Sequence, residues 1–269
     1  MDGDTYLFID GRYLGEVFRH AMKEVFAVEP SGEMDLALIR HEAGAKKAFY
    51  YDCLHDLRKE PETDAEFKAR VEIQQRVFAN IRSLYGFHVQ LGTLKGGHRR
   101  REQKEVDVLL AVDMLTHASN RNMTRAVLVA GDLDFRPIIE ALIRLGIFVE
   151  VWYEKKSAAK DLFDAADYGR PISWRALYTW GTMELRAVHR VPEESNGHAS
   201  LFDPIILHLG LIDKQQVVVM REQGGKMNVL RFESRYDGMV WMEHEDQAVL
   251  ERYFSMRYGP VEWQPLRDA

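Results

Sequence analysis

Apolar runs and polar punctuation alternate regularly through the first two-thirds of the chain. Tyr6-Leu7-Phe8-Ile9 is a short apolar run ending in Asp10-Gly11, the pattern of a strand followed by a tight turn. Val17, Phe18, Met22, Val25 and Phe26 then recur at helical spacing, and residues 45–53 read as a second strand. A polar stretch with Pro61 precedes Thr63 and Glu66, whose spacing is that of a capping box. The helix it opens carries Phe67, Val71, Ile73, Val77, Phe78, Ile81 and Leu84 and stops at Gly86. Residues 87–92 alternate as a third strand, and residues 95–103 read as a basic loop. From 104 to about 119 the pattern is helical but apolar almost all round, which predicts burial on every side.

Ala126-Val127-Leu128-Val129-Ala130 is apolar without interruption, as expected for a strand covered on both faces of a parallel sheet. Gly131-Asp132-Leu133-Asp134-Phe135 turns the chain into a helix with Pro137 near its start, where a missing N–H costs little. Residues 148–152 make a fifth strand and residues 158–168 a last helix. This strand–helix alternation predicts an α/β fold with a parallel sheet wrapped by helices, over residues 1–175. The character then changes. Residues 192–197 read as a linker, residues 216–232 as a β-hairpin, residues 239–242 as a strand and residues 246–258 as a helix. Residues 176–269 are therefore expected to form a small α+β module, a candidate surface for a homo-oligomer or a protein partner.

Composition narrows the class. The 269 residues are 46% hydrophobic and 29% charged, as in soluble globular proteins. No apolar run approaches the roughly 20 residues that span a bilayer. The acidic start, Met1-Asp2-Gly3-Asp4, is unlike a secretory signal. A lone cysteine, Cys53, excludes disulfide frameworks and multi-cysteine metal sites. Cytoplasmic residence is expected. The net charge of −6 argues against a polycation, but nucleic-acid binding depends on local charge.

Four acids come from separate elements. Asp10 ends the first strand, Asp107 opens the apolar helix, and Asp132 and Asp134 follow the central strand, at the end of the sheet where α/β folds place ligands. If the first and fourth strands are neighbours, these carboxylates meet. Clustered carboxylates repel, so they take up protons or are neutralised by a hard cation, for which Mg²⁺ or Mn²⁺ is the natural candidate. Such a site suits phosphodiester hydrolysis. The plainer reading is that Asp132 or Asp134 caps the following helix. Asp113 lies about 120° around the helix from Asp107, which places it in a supporting role. Lys104 can share the face of Asp107, or be an ordinary surface lysine.

Phe8-Ile9-Asp10-Gly11, Lys104-Glu105-Val106-Asp107-Val108 with Asp113-Met114-Leu115, and Leu128-Val129-Ala130-Gly131-Asp132-Leu133-Asp134-Phe135 with Pro137 and Gly146 occur in that order. Together they resemble the NYN domain, LabA-like branch, of the PIN-like ribonuclease superfamily, over roughly residues 5–168. The resemblance implies a Rossmann-like sheet in the order 3-2-1-4-5. It also implies a Mg²⁺ or Mn²⁺ site and ribonuclease activity on Asp10, Asp107, Asp132 and Asp134, with RNA as substrate. The chain departs from the family after Asp10-Gly11, where Arg12-Tyr13 replaces the usual any-residue-then-Asn. Tyr13 cannot supply the short amide, although its ring could stack on a base and Arg12 could meet a phosphate. The run Arg99-Arg100-Arg101 precedes the helix of Asp107, so these arginines are expected to contact substrate or to form a solvated loop. A binding-only module keeps the fold and gives up catalysis. A Toprim-type fold wants a glutamate where Asp10 stands, and a haloacid-type phosphatase wants Asp-x-Asp where Asp10-Gly11-Arg12 stands.

Overall fold

The computed structural model describes residues 3–28, 34–54, 61–92, 99–195, 201 and 203–264, except for the side chains of residues 99–104. The chain divides into two compact units, residues 1–19 with 32–182 and residues 20–31 with 183–269.

The first unit is built on six parallel strands: β1 (Thr5–Asp10), β2 (Lys47–Cys53), β3 (Phe87–Gly92), β4 (Arg125–Val129), β5 (Phe148–Tyr153) and β6 (Tyr168–Pro171). Their order is β3-β2-β1-β4-β5-β6. The first five follow the expected order, and β6 extends it. β1 and β4 are the central neighbours, in register from Thr5 against Arg125 to Ile9 against Val129. Both are buried along almost their whole length, because helices cover the two faces of the sheet.

Helix α1 (Gly11–Phe26) follows β1 without a connecting loop, and the Asp10 carboxylate accepts the Tyr13 N–H at its start. A short helix α2 (Leu36–Glu42), capped by Asp35, was not anticipated. Helix α3 (Asp64–Ser83) begins at the expected capping box, with Thr63 and Glu66 bonded reciprocally. Helix α5 (Arg136–Arg144) starts with Pro137 and buries Ile138, Ile139 and Leu142.

Three expectations are corrected here. Helix α4 runs Arg99–Ser119, so the latter part of the expected basic loop is its first turn; residues 95–98 lie outside the described residues. Nor is α4 buried all round: Val106, Leu110 and Met114 face the core, while Val108, Val112 and Leu115 are 61%, 53% and 41% exposed. The helix lies on one face of the sheet, so the stripe at i, i+4, i+8 is covered and the opposite side meets water despite its apolar residues. Finally, the expected helix over 158–168 shrinks to α6 (Lys160–Phe163). Asp167 accepts the Val149 N–H, and the chain goes straight into edge strand β6. Helix α7 (Trp174–Trp180) closes this unit.

The second unit contains helix α8 (Met183–Val188) and the strands β7 (Glu193–Ser195), β8 (Pro204–Ile212), β9 (Gln215–Glu222), β10 (Asn228–Ser234), β11 (Gly238–His244) and β12 (Glu262–Gln264). They form an antiparallel sheet in the order β12-β8-β9-β10-β11-β7. The expected hairpin is β9–β10 and the expected strand is β11; β7, β8 and β12 were not foreseen. Helix α9 (Gln247–Tyr258) is capped by Asp246 and packs Phe254 and Tyr258 on Phe232. No helix among the described residues is long and apolar enough to cross a membrane.

Candidate acidic site

The β1–β4 pairing sets Asp10 one residue beyond the last registered pair and brings the turn after β4 beside it. Asp10 is 9% exposed. Its Oδ1 accepts the Tyr13 N–H at 3.0 Å, which anchors the carboxylate at the first turn of α1. The sharp entry into α1 needs Gly11: a Cβ there would stand 2.3 Å from the Tyr50 ring.

Asp132 is exposed and extended, and its Oδ1 accepts the Asp134 N–H at 3.0 Å, capping the 3₁₀ turn Leu133–Phe135. The capping role foreseen as the plainer reading is therefore real. It occupies one oxygen and leaves Oδ2 for other work, so capping and clustering coexist. Asp134 is exposed within that turn. Asp107 is half-buried on α4.

Asp107 and Asp10 feel the neighbouring charges. Burial pushes Asp107 up to about 7; the charges of Asp10, Asp132 and Asp134 add to the rise and Arg12 opposes it. Burial likewise raises Asp10 to about 6, against the Tyr13 N–H and Arg12, with Glu16 and Asp132 adding repulsion. The charges of Asp10, Asp132 and Asp134 thus reach Asp107, and that of Asp132 reaches Asp10.

Two neighbours were missed. Asp52, in β2, is raised to about 6 by burial, and the charge of Asp10 adds to that against the Cys53 N–H. Its only sequence signal is a lone carboxylate near the end of the run Ala48-Phe49-Tyr50-Tyr51. Glu16 takes the Arg12 guanidinium at 3.0 Å, an exposed i,i+4 pair worth at most about 1 kcal/mol. Asp113 accepts the Tyr51 hydroxyl at 2.9 Å, which ties α4 to β2.

Tyr13 is half-buried. Its ring covers Gly131, where a Cβ would lie 2.3 Å from Cε2, and its hydroxyl accepts the Glu154 N–H at 2.8 Å. Arg99, Arg100, Arg101 and Lys104 fall in the first turns of α4, and their side chains lie outside the described residues. An open cleft of about 550 Å³ is lined by Asp10, Arg12, Tyr13, Gly131, Asp132 and Lys156, among others.

Among the described residues, no three His, Cys, Asp or Glu side chains stand as a ready-made metal-holding group. The donor chemistry nevertheless suits a hard cation. It consists of carboxylate oxygens whose repulsion a cation relieves, with one oxygen each of Asp10 and Asp132 uncommitted to the backbone. Mg²⁺ commonly takes one or two carboxylates and keeps several waters, so the residues fit a cation held in that way.

A family model described as "NYN domain" matches residues 5–173. No curated protein matches the chain. Among solved structures, a protein of unknown function from Vibrio parahaemolyticus RIMD 2210633 is 20% identical, with a TM-score of 0.46, covering 64% of this chain and 93% of its own. A chitinase from Chromobacterium violaceum ATCC 12472 is 11% identical, with a TM-score of 0.24, covering 96% of this chain and 91% of its own.

Proposed function

The chain belongs to the NYN domain family, a nuclease-like family, and from that premise we propose that it is a divalent-metal-dependent ribonuclease. The observation that supports this most directly is that Asp107 of α4 feels the charges of Asp10, Asp132 and Asp134, which stand beyond the carboxyl ends of β1 and β4. In this reading Asp10, Asp107, Asp132 and Asp134 hold Mg²⁺ or Mn²⁺. When bound, the ion supplies an activated water and charge stabilisation for in-line phosphodiester cleavage.

The rest falls to the protein. The Tyr13 N–H and the Asp134 N–H fix one oxygen each of Asp10 and Asp132, so these carboxylates are aimed before substrate arrives. Without a cation, Asp107 keeps its proton up to about pH 7, which lowers the repulsion among the acids. Arg12, held by Glu16, offsets negative charge in the cleft and can meet a phosphate. The arginines of the first turn of α4 are proposed to track the backbone of a single strand.

The test is Mn²⁺-dependent cleavage of single-stranded RNA by the full chain, with Asp132→Asn as control. Wild-type cleavage that the variant lacks supports the proposal. Equal, background-level cleavage by both favours a second reading, a module that binds RNA without cutting it. Tyr13 in place of the family's usual Asn motivates that second reading.

A further inference from the structure

The acids of the cleft attract a cation but repel a phosphate backbone, so a ligand of that class needs a positive wall. The loop of residues 154–159 after β5 supplies one, since Lys156 and Ser157 line the same cleft as Asp10 and Asp132. This loop is well fixed. Lys156 N–H donates to Glu154 Oε2 at 2.9 Å, Ala158 N–H to the Glu154 carbonyl at 3.0 Å, and Ala159 N–H to the Gly131 carbonyl at 3.1 Å.

The remaining anchor is Tyr13. Its hydroxyl accepts the Glu154 N–H at 2.8 Å and lies 3.5 Å from Ser157 Oγ, while its ring covers Gly131. One phenol therefore joins the first turn of α1, the turn after β4 and the loop after β5. The space over Gly131 admits the ring only because that residue has no Cβ. Arg12, the other cation of the cleft, is held by Glu16. Since β4 and β5 are adjacent strands, the loop and the acids sit at neighbouring strand ends.

We propose that Lys156 binds a backbone phosphate of single-stranded nucleic acid in this cleft, and that Tyr13 is the positioning residue that holds its loop. The proposal rests on the ribonuclease reading and names two further residues for it. An ammonium is a point charge that meets any phosphate without reading the base, so the contact is independent of sequence.

The experiment is fluorescence anisotropy of the full chain with a short, 2′-O-methylated single-stranded oligonucleotide, in chelator, over a salt series. Lys156→Ala should weaken binding several-fold on every sequence and flatten the log–log salt slope by about 0.7 to 1, the value of one phosphate contact. Lys156→Arg should restore it, and Lys155→Ala, in the same loop, should leave it unchanged. In cleavage, Lys156→Ala should raise KM with little change in kcat. Tyr13→Phe keeps the ring and loses the acceptor. It should weaken binding as Lys156→Ala does, and the double variant should be no weaker than Lys156→Ala.

A wild type that binds while Lys156→Ala leaves affinity and slope untouched overturns this proposal alone. A wild type that neither binds nor cleaves overturns the ribonuclease reading with it. Additive effects of the two substitutions overturn the role of Tyr13. Should Tyr13→Phe not fold, hydrogen exchange at the wild-type Glu154 amide decides that role: slow exchange supports the anchor and fast exchange refutes it.

Discussion

Asp10→Asn should make the metal-free protein more stable at neutral pH and leave it unchanged in acid. Burial raises the Asp10 carboxyl from 3.8 to about 6, so the fold favours its protonated form. Below about pH 3, well under the ordinary value of 3.8, the group is protonated whether folded or not, and contributes no difference. As pH rises, the unfolded chain releases its proton first, and stability falls until the native carboxyl has also ionised, above about pH 6. At about 1.4 kcal/mol per pH unit of displacement, the full cost is near 3 kcal/mol, and water entering the open cleft reduces it to about 1–3 kcal/mol. Asparagine keeps an oxygen to accept the Tyr13 N–H and carries no charge, so it removes that cost. Urea unfolding in chelator, at about pH 3 and again near pH 7.5, checks this. The variant's midpoint should match wild type in acid and exceed it at neutral pH. An equal difference at both pH values, or a less stable variant at neutral pH, refutes the reasoning.

Three further substitutions probe the frame around the cleft. Glu150 is 3% exposed and accepts from Trp152 Nε1 at 2.5 Å and from Arg125; Glu150→Ala strands the Trp152 donor, while the 39% exposed Arg125 turns to water, and should cost about 1–3 kcal/mol in chemical denaturation. Gly131→Ala drives a methyl into the Tyr13 ring; a loss of about 1–3 kcal/mol is expected by thermal melting, and an unchanged melting temperature would show that the ring moves aside freely. Tyr51→Phe removes the hydroxyl donated to Asp113 and should lower stability by about 1 kcal/mol in urea titration.

The order of the first five strands in the sheet came only from the resemblance to the NYN family, whereas their succession along the chain was legible because continuous apolar runs and capped helices leave periodicities that differ. β6 was not, since a four-residue edge strand is too short to show a period and follows directly on residues with helical spacing. The exposed Val108, Val112 and Leu115 misled for a different reason: hydrophobicity alone cannot say which side of a helix the sheet occupies. Asp10 could be read because it ends a strand, Asp132 because it closely follows one, and Asp107 because it interrupts an apolar helical run. Asp52 could not, because its place depends on β2 lying next to β1, a neighbour relation that one strand's own pattern does not carry. Tyr13 looked like a lost amide, and only the distance to Glu154 reveals a second anchor.

The central pair β1–β4 joins residues more than a hundred positions apart, Ile9 opposite Val129. During synthesis, at about 5–20 residues per second, the ribosome needs roughly 6–24 s after making β1 before it has made β4. Until then one edge of β1, with its run Leu7-Phe8-Ile9, lacks its neighbour, and the nascent chain holds only part of the acidic cleft. A chaperone that shields newly made apolar strands would therefore meet this chain first at its amino-terminal strand, and truncation before residue 125 should leave an insoluble product.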